Sequence, residues 1–313
     1  MADPSISYVP AFQATIVRLF QEDPDGIRGS VRSRTINAKS DHWERLGGIE
    51  LQAVTSRHQP TPYTPSAHSR RRVVLSDVAG SERLDQLDQI RLMIDPRNEY
   101  TQNLMMAWRR HVARTVIAAT TAAATAVSNT ETTSSVSLPA SQQIANGGTG
   151  MTVAKLRQIN RLFDNAGVPR DGRRHLAVSA YAIEDLLADS QVTSADYSSM
   201  QALMNGGAAL INSANFMGFN WHMISDAIPD DSSVTGASVG TPSSPILSKA
   251  GNIRTCVAWH HDAIGLSVAK EATAEVDRRS DLMNLWQVLV QGSLGATRIL
   301  DAGVVQCDID ESV

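Results

Sequence analysis

Between Gln21 and Ala79 the chain carries Pro24, Pro60, Pro62 and Pro65, scattered Gly and Ser, and no helical periodicity. Two stretches alternate as strands do. Ile49, Leu51, Ala53 and Thr55 interleave with Glu50, Gln52 and Val54; Val73 and Leu75 interleave with Arg72, Val74 and Ser76. Arg57 to Arg70, between them, is rich in proline and polar groups. The pattern predicts a long two-stranded hairpin with little apolar surface of its own. An isolated hairpin is marginal in water. An extended run of this length is uncommon in a compact domain unless it is functional or disordered. The region is therefore either unordered or ordered by surface from outside its own chain.

The rest of the chain reads as α+β. Phe12, Ile16, Leu19 and Phe20 make a short apolar stripe that Asp23-Pro24-Asp25-Gly26 stops. Ser81 to Ile94 has helical spacing through Leu84, Leu87, Ile90 and Leu92/Met93. Asp95-Pro96 supplies an N-cap and a first-turn proline. A helix over Arg97–Val127 follows, about 45 Å long, with Tyr100, Leu104, Trp108, Val112 and Val116 on its stripe. After a Ser/Thr/Gly-rich stretch, Thr152 caps a helix carrying Val153, Leu156, Ile159 and Leu162/Phe163, closed by Gly167 and Pro169. A strand over His175–Ala180, helices over Ala182–Asp189 and near Asp196–Asn205, and a strand over Phe216–Ile224 come next. Asp230–Gly251 reads as a surface loop. Strands over Arg254–His260, Ala263–Val268 and Ala272–Arg278 precede a near-continuous run from Leu285 to Asp310. Strand and helix do not alternate regularly, which argues against a doubly wound sheet and for α+β.

A chain of 313 residues is long enough for about two domain-sized cores. A formal net charge of −4 gives no global sign of nucleic-acid binding. Only Lys39, Lys155, Lys249 and Lys270 are lysine; the other 24 basic residues are arginine, which tolerates partial burial and pairs bidentately. Genome composition explains that bias equally well. Cys256 and Cys307 sit in apolar strand patterns without metal-ligand spacing, so buried free thiols are expected. The N-terminus lacks a signal-peptide pattern. Thr115–Val127 is too short to span a bilayer. A soluble, cytoplasmic protein without membrane contact is expected.

Chemistry is sparse. HExxH is absent. His260-His261-Asp262 is the best titratable cluster, but neighbours on a strand face opposite ways, so a strand-end polar patch is expected rather than a metal site. Glu184, Asp185, Asp230 and Asp231 read as solvated charges. Asn146-Gly147-Gly148-Thr149-Gly150 lacks the strand and Gly-Lys-Ser/Thr of a phosphate loop and reads as a plain loop. Ser69-Arg70-Arg71-Arg72 is the sharpest charge cluster. It fits an acidic partner, nucleic acid or neighbouring subunit, and equally a solvated strand. No catalytic residue, metal ligand or cofactor is assigned.

Several stretches in register resemble a family of tailed-bacteriophage major capsid proteins. They are Thr55-Ser56-Arg57-His58, Thr61-Pro62, Thr64-Pro65 and His68-Ser69-Arg70-Arg71-Arg72-Val73; Ile94-Asp95-Pro96 with Tyr100; Thr152-Val153-Ala154-Lys155-Leu156; Val178-Ser179-Ala180; Ala258 to Leu266; and Gly295-Ala296-Thr297-Arg298. The resemblance spans roughly residues 40–310. It implies the tailed-phage capsid fold, with an N-terminal arm over 1–48, an E-loop hairpin over 49–80 and a peripheral domain over 81–166 with its spine helix at 97–127. An axial domain over 167–262 and return strands over 263–313 complete it. It implies a subunit that assembles into hexamers and pentamers of an icosahedral shell around double-stranded DNA, touched non-specifically on the inner face. Scaffolding, portal and decoration proteins are the implied partners, and the virion, assembled in host cytoplasm, is the implied place. Expected inter-subunit contacts are Arg57, His58, Arg70, Arg71 and Arg72 in the E-loop and Arg28, Arg32 and Arg34 in the arm. Some members crosslink an E-loop lysine to an asparagine; residues 40–154 here contain no lysine, so a non-covalent shell is expected. No long charged helical extension precedes the arm, which leaves open a separate scaffold or prior processing. Two alternatives stand beside this reading: an encapsulin-like nanocompartment, and an α+β enzyme using Asp262, His260 or His261.

Overall fold

A computed structural model describes residues 24–57, 59–61, 63–84, 97–128, 131–188, 215–225 and 245–312. The expected helices over Phe12–Phe20 and Asp196–Asn205, the Asp95-Pro96 helix start, Asp230-Asp231 and His58 lie outside these residues.

The described chain builds three sheets around two cores. The first sheet has the order β1-β13-β14-β4, from Arg32–Thr35 (β1), Ile264–Arg279 (β13), Leu285–Arg298 (β14) and Ser76–Leu84 (β4). The second has the order β2-β3-β5-β6, from Ser40–Leu46, His68–Val74, Ala124–Val127 and Thr133–Val136. The third runs β7-β15-β12-β8-β10-β9: Gln143–Ile144, Val304–Asp310, Ile253–His260, Arg174–Val178, Phe219–Met223 and Asn215–Phe216, with β11 (Lys249–Ala250) beside β12. Four helices accompany them: α1 (Asp25–Arg28), α2 (Arg97–Thr121), α3 (Val153–Asn165) and α4 (Ala180–Ala188). Among the described residues no helix is long and apolar enough to cross a membrane.

The third sheet is covered on both faces, which explains why its strands read as nearly continuous apolar runs. Along β12, Val257 and Trp259 face one core with Val112 and Val116 of α2 and with Ile27 and Val31. Cys256 and Ala258 face the other, with Leu156, Ile159 and Phe163 of α3 and Ile183 and Leu186 of α4. The period-2 alternation of a strand sends successive side chains into different cores. Trp259 completes its burial by donating from Nε1 to the Ser30 carbonyl at 3.1 Å. This fixes the segment after α1 against the sheet.

Local signals hold where they are self-contained. Thr152 accepts from the Lys155 backbone N–H at 3.3 Å and starts α3 one residue later. Gly167 closes it with a bond to the Asp164 carbonyl. Both cysteines are free and buried. Burial pushes both thiols up in pKa, Cys307 to about 12.

Several expected boundaries move. Residues 49–55 form no strand; the hairpin stem is instead Ser40–Leu46 on His68–Val74, with Trp43 opposite Arg71. Among the described residues the alternation at 49–55 finds no strand to pair with, whereas Trp43 and Val73 find a buried seat. Ser81–Leu84 is strand, not helix, because β4 pairs with β14 from Ser76–Leu294 to Leu84–Trp286. The long helix stops at Thr121, and Ala124–Val127 turns back as a strand on Arg70–Arg72. Helix α2 is therefore about 37 Å long. The two expected strands over 263–278 are one, kinked by register shifts between Val268 and Thr273. The expected strand over 216–224 is strand over Phe219–Met223, preceded by a tight turn at Met217-Gly218 that folds it back on Asn215–Phe216.

Candidate inter-subunit surface

The hairpin is held at its base and bare at its tip. At the base Trp43 lies against Gly265 and Ile299, and its Nε1 donates to Ser267 Oγ at 3.1 Å. Ser267 Oγ donates onward to Asp41, which also accepts from Arg34 Nε at 2.6 Å. The Arg34 guanidinium covers the outer side of the Trp43 ring at 4.2 Å. Burial raises the pKa of Asp41, but the hydrogen bonds from Arg34 and Ser267 outweigh it and hold the carboxyl below the usual range. A bond from Gly47 N to the Ala67 carbonyl at 2.8 Å closes the stem.

Beyond Gly47 the chain leaves its own body. Ile49, Leu51, Val54 and Tyr63 are exposed, Leu51 at 98% and Tyr63 at 85%. With Leu46 at the last stem position they line up large apolar side chains along one segment. Scattered exposed apolar residues are ordinary, but a concentration on one projecting segment marks an interaction surface. Among the described residues, the bracing along the tip is local: Gln59 Oε1 accepts from the backbone N–H and hydroxyl of Thr55.

The expected contact residues divide into two groups. Arg57 is exposed on the tip. Arg70 stands half-exposed beside Glu44 at 3.5 Å, and Arg72 is half-buried on the same outer face. Arg71 points the other way. It is buried, and its Nη2 donates to Asp301 at 2.6 Å within the same chain. In the arm, Arg28 pairs with Glu271 and Arg34 with Asp41, while Arg32 lies 3.9 Å from Asp262 and near the Trp43 ring. The arginine runs are thus largely joints between the arm, the hairpin and the body.

Four residues that sequence reasoning passed over complete the joint: Trp43, Arg45, Arg298 and Asp301. Arg298 is fully buried. Its Nε donates to Asp301 at 2.7 Å, and its other nitrogens donate to the carbonyls of Thr120, Ala122 and Val136, all at 2.9 Å. It therefore ties the end of α2 to β6 and β14. The Gly295-Ala296-Thr297-Arg298 motif was the available signal.

His260-His261-Asp262 is a polar strand end, as expected. The Asp262 N–H donates to His260 Nδ1, which directs the proton of His260 Nε2 toward Asp171 at 3.1 Å. Asp262 meets Arg173 at 3.4 Å. Among the described residues no His, Cys, Asp and Glu cluster is placed to hold a metal ion. The Asn146–Gly150 turn has the opposite polarity to an anion cradle. Its carbonyls at Asn146, Thr149 and Gly150 face inward and, with that of Asp308, accept from Lys155 Nζ at 2.8 to 3.1 Å. Asp185, expected to be solvated, accepts from the Met151 backbone N–H at 3.1 Å and packs on Gly150.

A two-core α+β body, a long helix beneath return strands and a hairpin that carries apolar residues away from that body define a shell-forming subunit of the tailed-phage capsid fold. That fold is shared with the capsid of Ralstonia phage GP4 (TM-score 0.68, 8% identity, 97% of this chain and 95% of that one). It is shared also with the head of Helicobacter pylori bacteriophage KHP40 (0.66, 12%, 97% and 96%) and the capsid of cyanophage Pam1 (0.64, 11%, 98% and 97%). No curated protein matches the chain. The chain belongs to the phage capsid protein family, whose model matches residues 5–311. It is a structural protein, a major capsid subunit of the virion shell.

Proposed function

We propose that this subunit assembles non-covalently into hexamers and pentamers of an icosahedral shell around double-stranded DNA. The exposed segment over 47–67 is the E-loop, and a neighbouring copy covers it. The observation that carries this reading is the concentration of Leu46, Ile49, Leu51, Val54 and Tyr63 on a projection that its own body does not cover. Each large apolar side chain buried at such a contact contributes about 1.5–3 kcal/mol. Repetition over symmetric interfaces makes modest contacts collectively strong. Arg57, Arg70 and Arg72, on the tip and outer face, supply polar contacts to the neighbour, and His58 lies on the same loop. Arg28, Arg32 and Arg34 hold the arm in place at the edge of that contact. Residues 81–166 with the return strands 263–313 serve as the peripheral domain and 167–262 as the axial domain. Scaffolding and portal proteins act during assembly in the host cytoplasm, and packaged DNA meets the inner face without sequence readout. No step of this role requires catalysis.

Leu51→Asp tests it. The lone variant subunit keeps its far-UV circular dichroism and melting temperature, because Leu51 touches little of its own chain. Shells seen by negative stain and sedimentation are lost. Shell formation at wild-type yield would overturn the assignment of this segment to the interface.

A further inference from the structure

The joint beneath the hairpin carries more positive charge than its own chain neutralises. Among the described residues, three guanidiniums, from Arg45, Arg71 and Arg298, converge on one carboxylate, Asp301. Arg298 has backbone carbonyls for its remaining nitrogens. The other two do not. Nε and Nη1 of Arg71 and Nε of Arg45 are buried and have no hydrogen-bond partner among the described residues. The Arg71 side chain is 4% exposed and that of Arg45 26%, so solvent meets this recess of the joint at Arg45. A buried charged donor without an acceptor costs on the order of 1–3 kcal/mol. Like charges add to that cost. Burial first, and then the charges of Arg45 and Arg298, work against the protonated form of Arg71, with Asp301 acting for it. Arginine nevertheless stays charged. The arrangement has the donors of an anion site.

We propose that Arg45 and Arg71 form an incomplete socket, closed on assembly by a carboxylate of a second copy of this chain. The proposal rests on the shell reading and names the chemistry of one of its contacts. Its place in the fold favours a second copy. Arg45 and Arg71 sit on the two strands that lead into and out of the exposed apolar segment, so a subunit that covers that segment also lies beside the partly exposed Arg45 side chain. The chain has 32 acidic residues against 28 basic ones, and its described surface exposes Glu50, Glu131, Glu275 and Asp277. A carboxylate on a side-chain stem can enter a recess. It would meet planar guanidinium donors, whose fork suits bidentate pairing.

The signature of such a socket is an effect of opposite sign before and after assembly. Arg45→Gln removes a like charge from the lone subunit and half of the socket from the shell. The lone variant therefore melts at or above the wild-type temperature, while its shell yield at fixed concentration falls at least tenfold. Arg45→Lys restores part of that yield. Wild-type assembly weakens as salt rises, and the variant's depends less on salt. A map of the assembled shell places a neighbour's carboxylate oxygen about 3 Å from Arg45 or Arg71. A variant subunit that melts lower and assembles normally overturns the proposal, because Arg45 then serves only its own chain. Water or a free ion in the recess of the assembled shell overturns it too. So does a defect confined to DNA-filled particles, which would make a phosphate the occupant. A wild-type chain that forms no shell at all fails the shell reading itself and is recognised before any variant is compared.

Discussion

The indole of Trp43 rests on Gly265 so closely that a methyl group on that glycine would stand 2.5 Å from Cε2 of the ring. The contact joins β2 at the hairpin base to β13 in the body. Real Cβ contacts do not come that near, so Gly265→Ala displaces the ring, the Ser267 bond and the Arg34 stack together. The expected loss is about 1–3 kcal/mol from overpacking. Trp43→Ala removes the ring and costs about 3–5 kcal/mol. Chemical denaturation of the unassembled subunit measures both. Losses under about 0.5 kcal/mol would show that the hairpin is not anchored here.

His175 and His222 share a proton at 3.0 Å, stacked beside Trp259. Burial depresses both, His175 to about 3 with help from the His222 charge, and His222 to about 4, from an ordinary value of 6.5. The unfolded chain therefore binds more protons than the fold between pH 6.5 and these values. Stability falls as pH drops through that window, by up to about 1.4 kcal/mol per pH unit for each ring. His222→Gln flattens the slope between pH 6 and 4 in equilibrium unfolding of the subunit. An unchanged slope would assign acid sensitivity to other groups.

Much of this architecture was legible in local pattern. The Thr152 cap, the apolar stripe of α3, the place of α2 though not its end, the buried cysteines and the terminal strands each declare themselves within a few residues. The failures share a cause. Ser81–Leu84 has helical spacing, yet pairing with Trp286–Leu289, some 200 residues on, makes it a strand. The alternation at 49–55 has the period of a strand, but hydrogen-bonding partners decide and the described residues offer none. Arg71 reads as one of three surface arginines because Asp301 is 230 residues away. The hairpin was expected to carry little apolar surface of its own, yet Ile49, Leu51, Val54 and Tyr63 stand exposed on its tip.

Lys155 fills the turn that resembled a phosphate loop, with three ammonium protons among four carbonyls. Burial lowers its pKa from the ordinary lysine value. Lys155→Met keeps the stem and strands the carbonyls, which costs about 2–4 kcal/mol. Gly150→Ala meets Asp185 Oδ2 at 2.0 Å and breaks the same turn from the other side. Urea midpoints of the subunit report both. A neutral Lys155→Met would mean that water satisfies those carbonyls.

Residues 40–154 offer no lysine to a crosslink. Mature particles boiled in detergent with reductant therefore run as a single monomer band. A ladder of multimers would require a different nucleophile and would end the non-covalent assignment. The same particles should expose almost no thiol to a neutral-pH alkylating reagent until denatured, since Cys256 and Cys307 face each other inside the third sheet.

Strand β12 is a party wall. One neighbour's load pressed on α2 reaches Val257 and Trp259; a load on α3 or α4 reaches Cys256 and Ala258, one peptide away. Neither side of the subunit can therefore yield without moving the backbone of the other. A shell tiled from such pieces would transmit pressure from within across each tile instead of absorbing it at one edge.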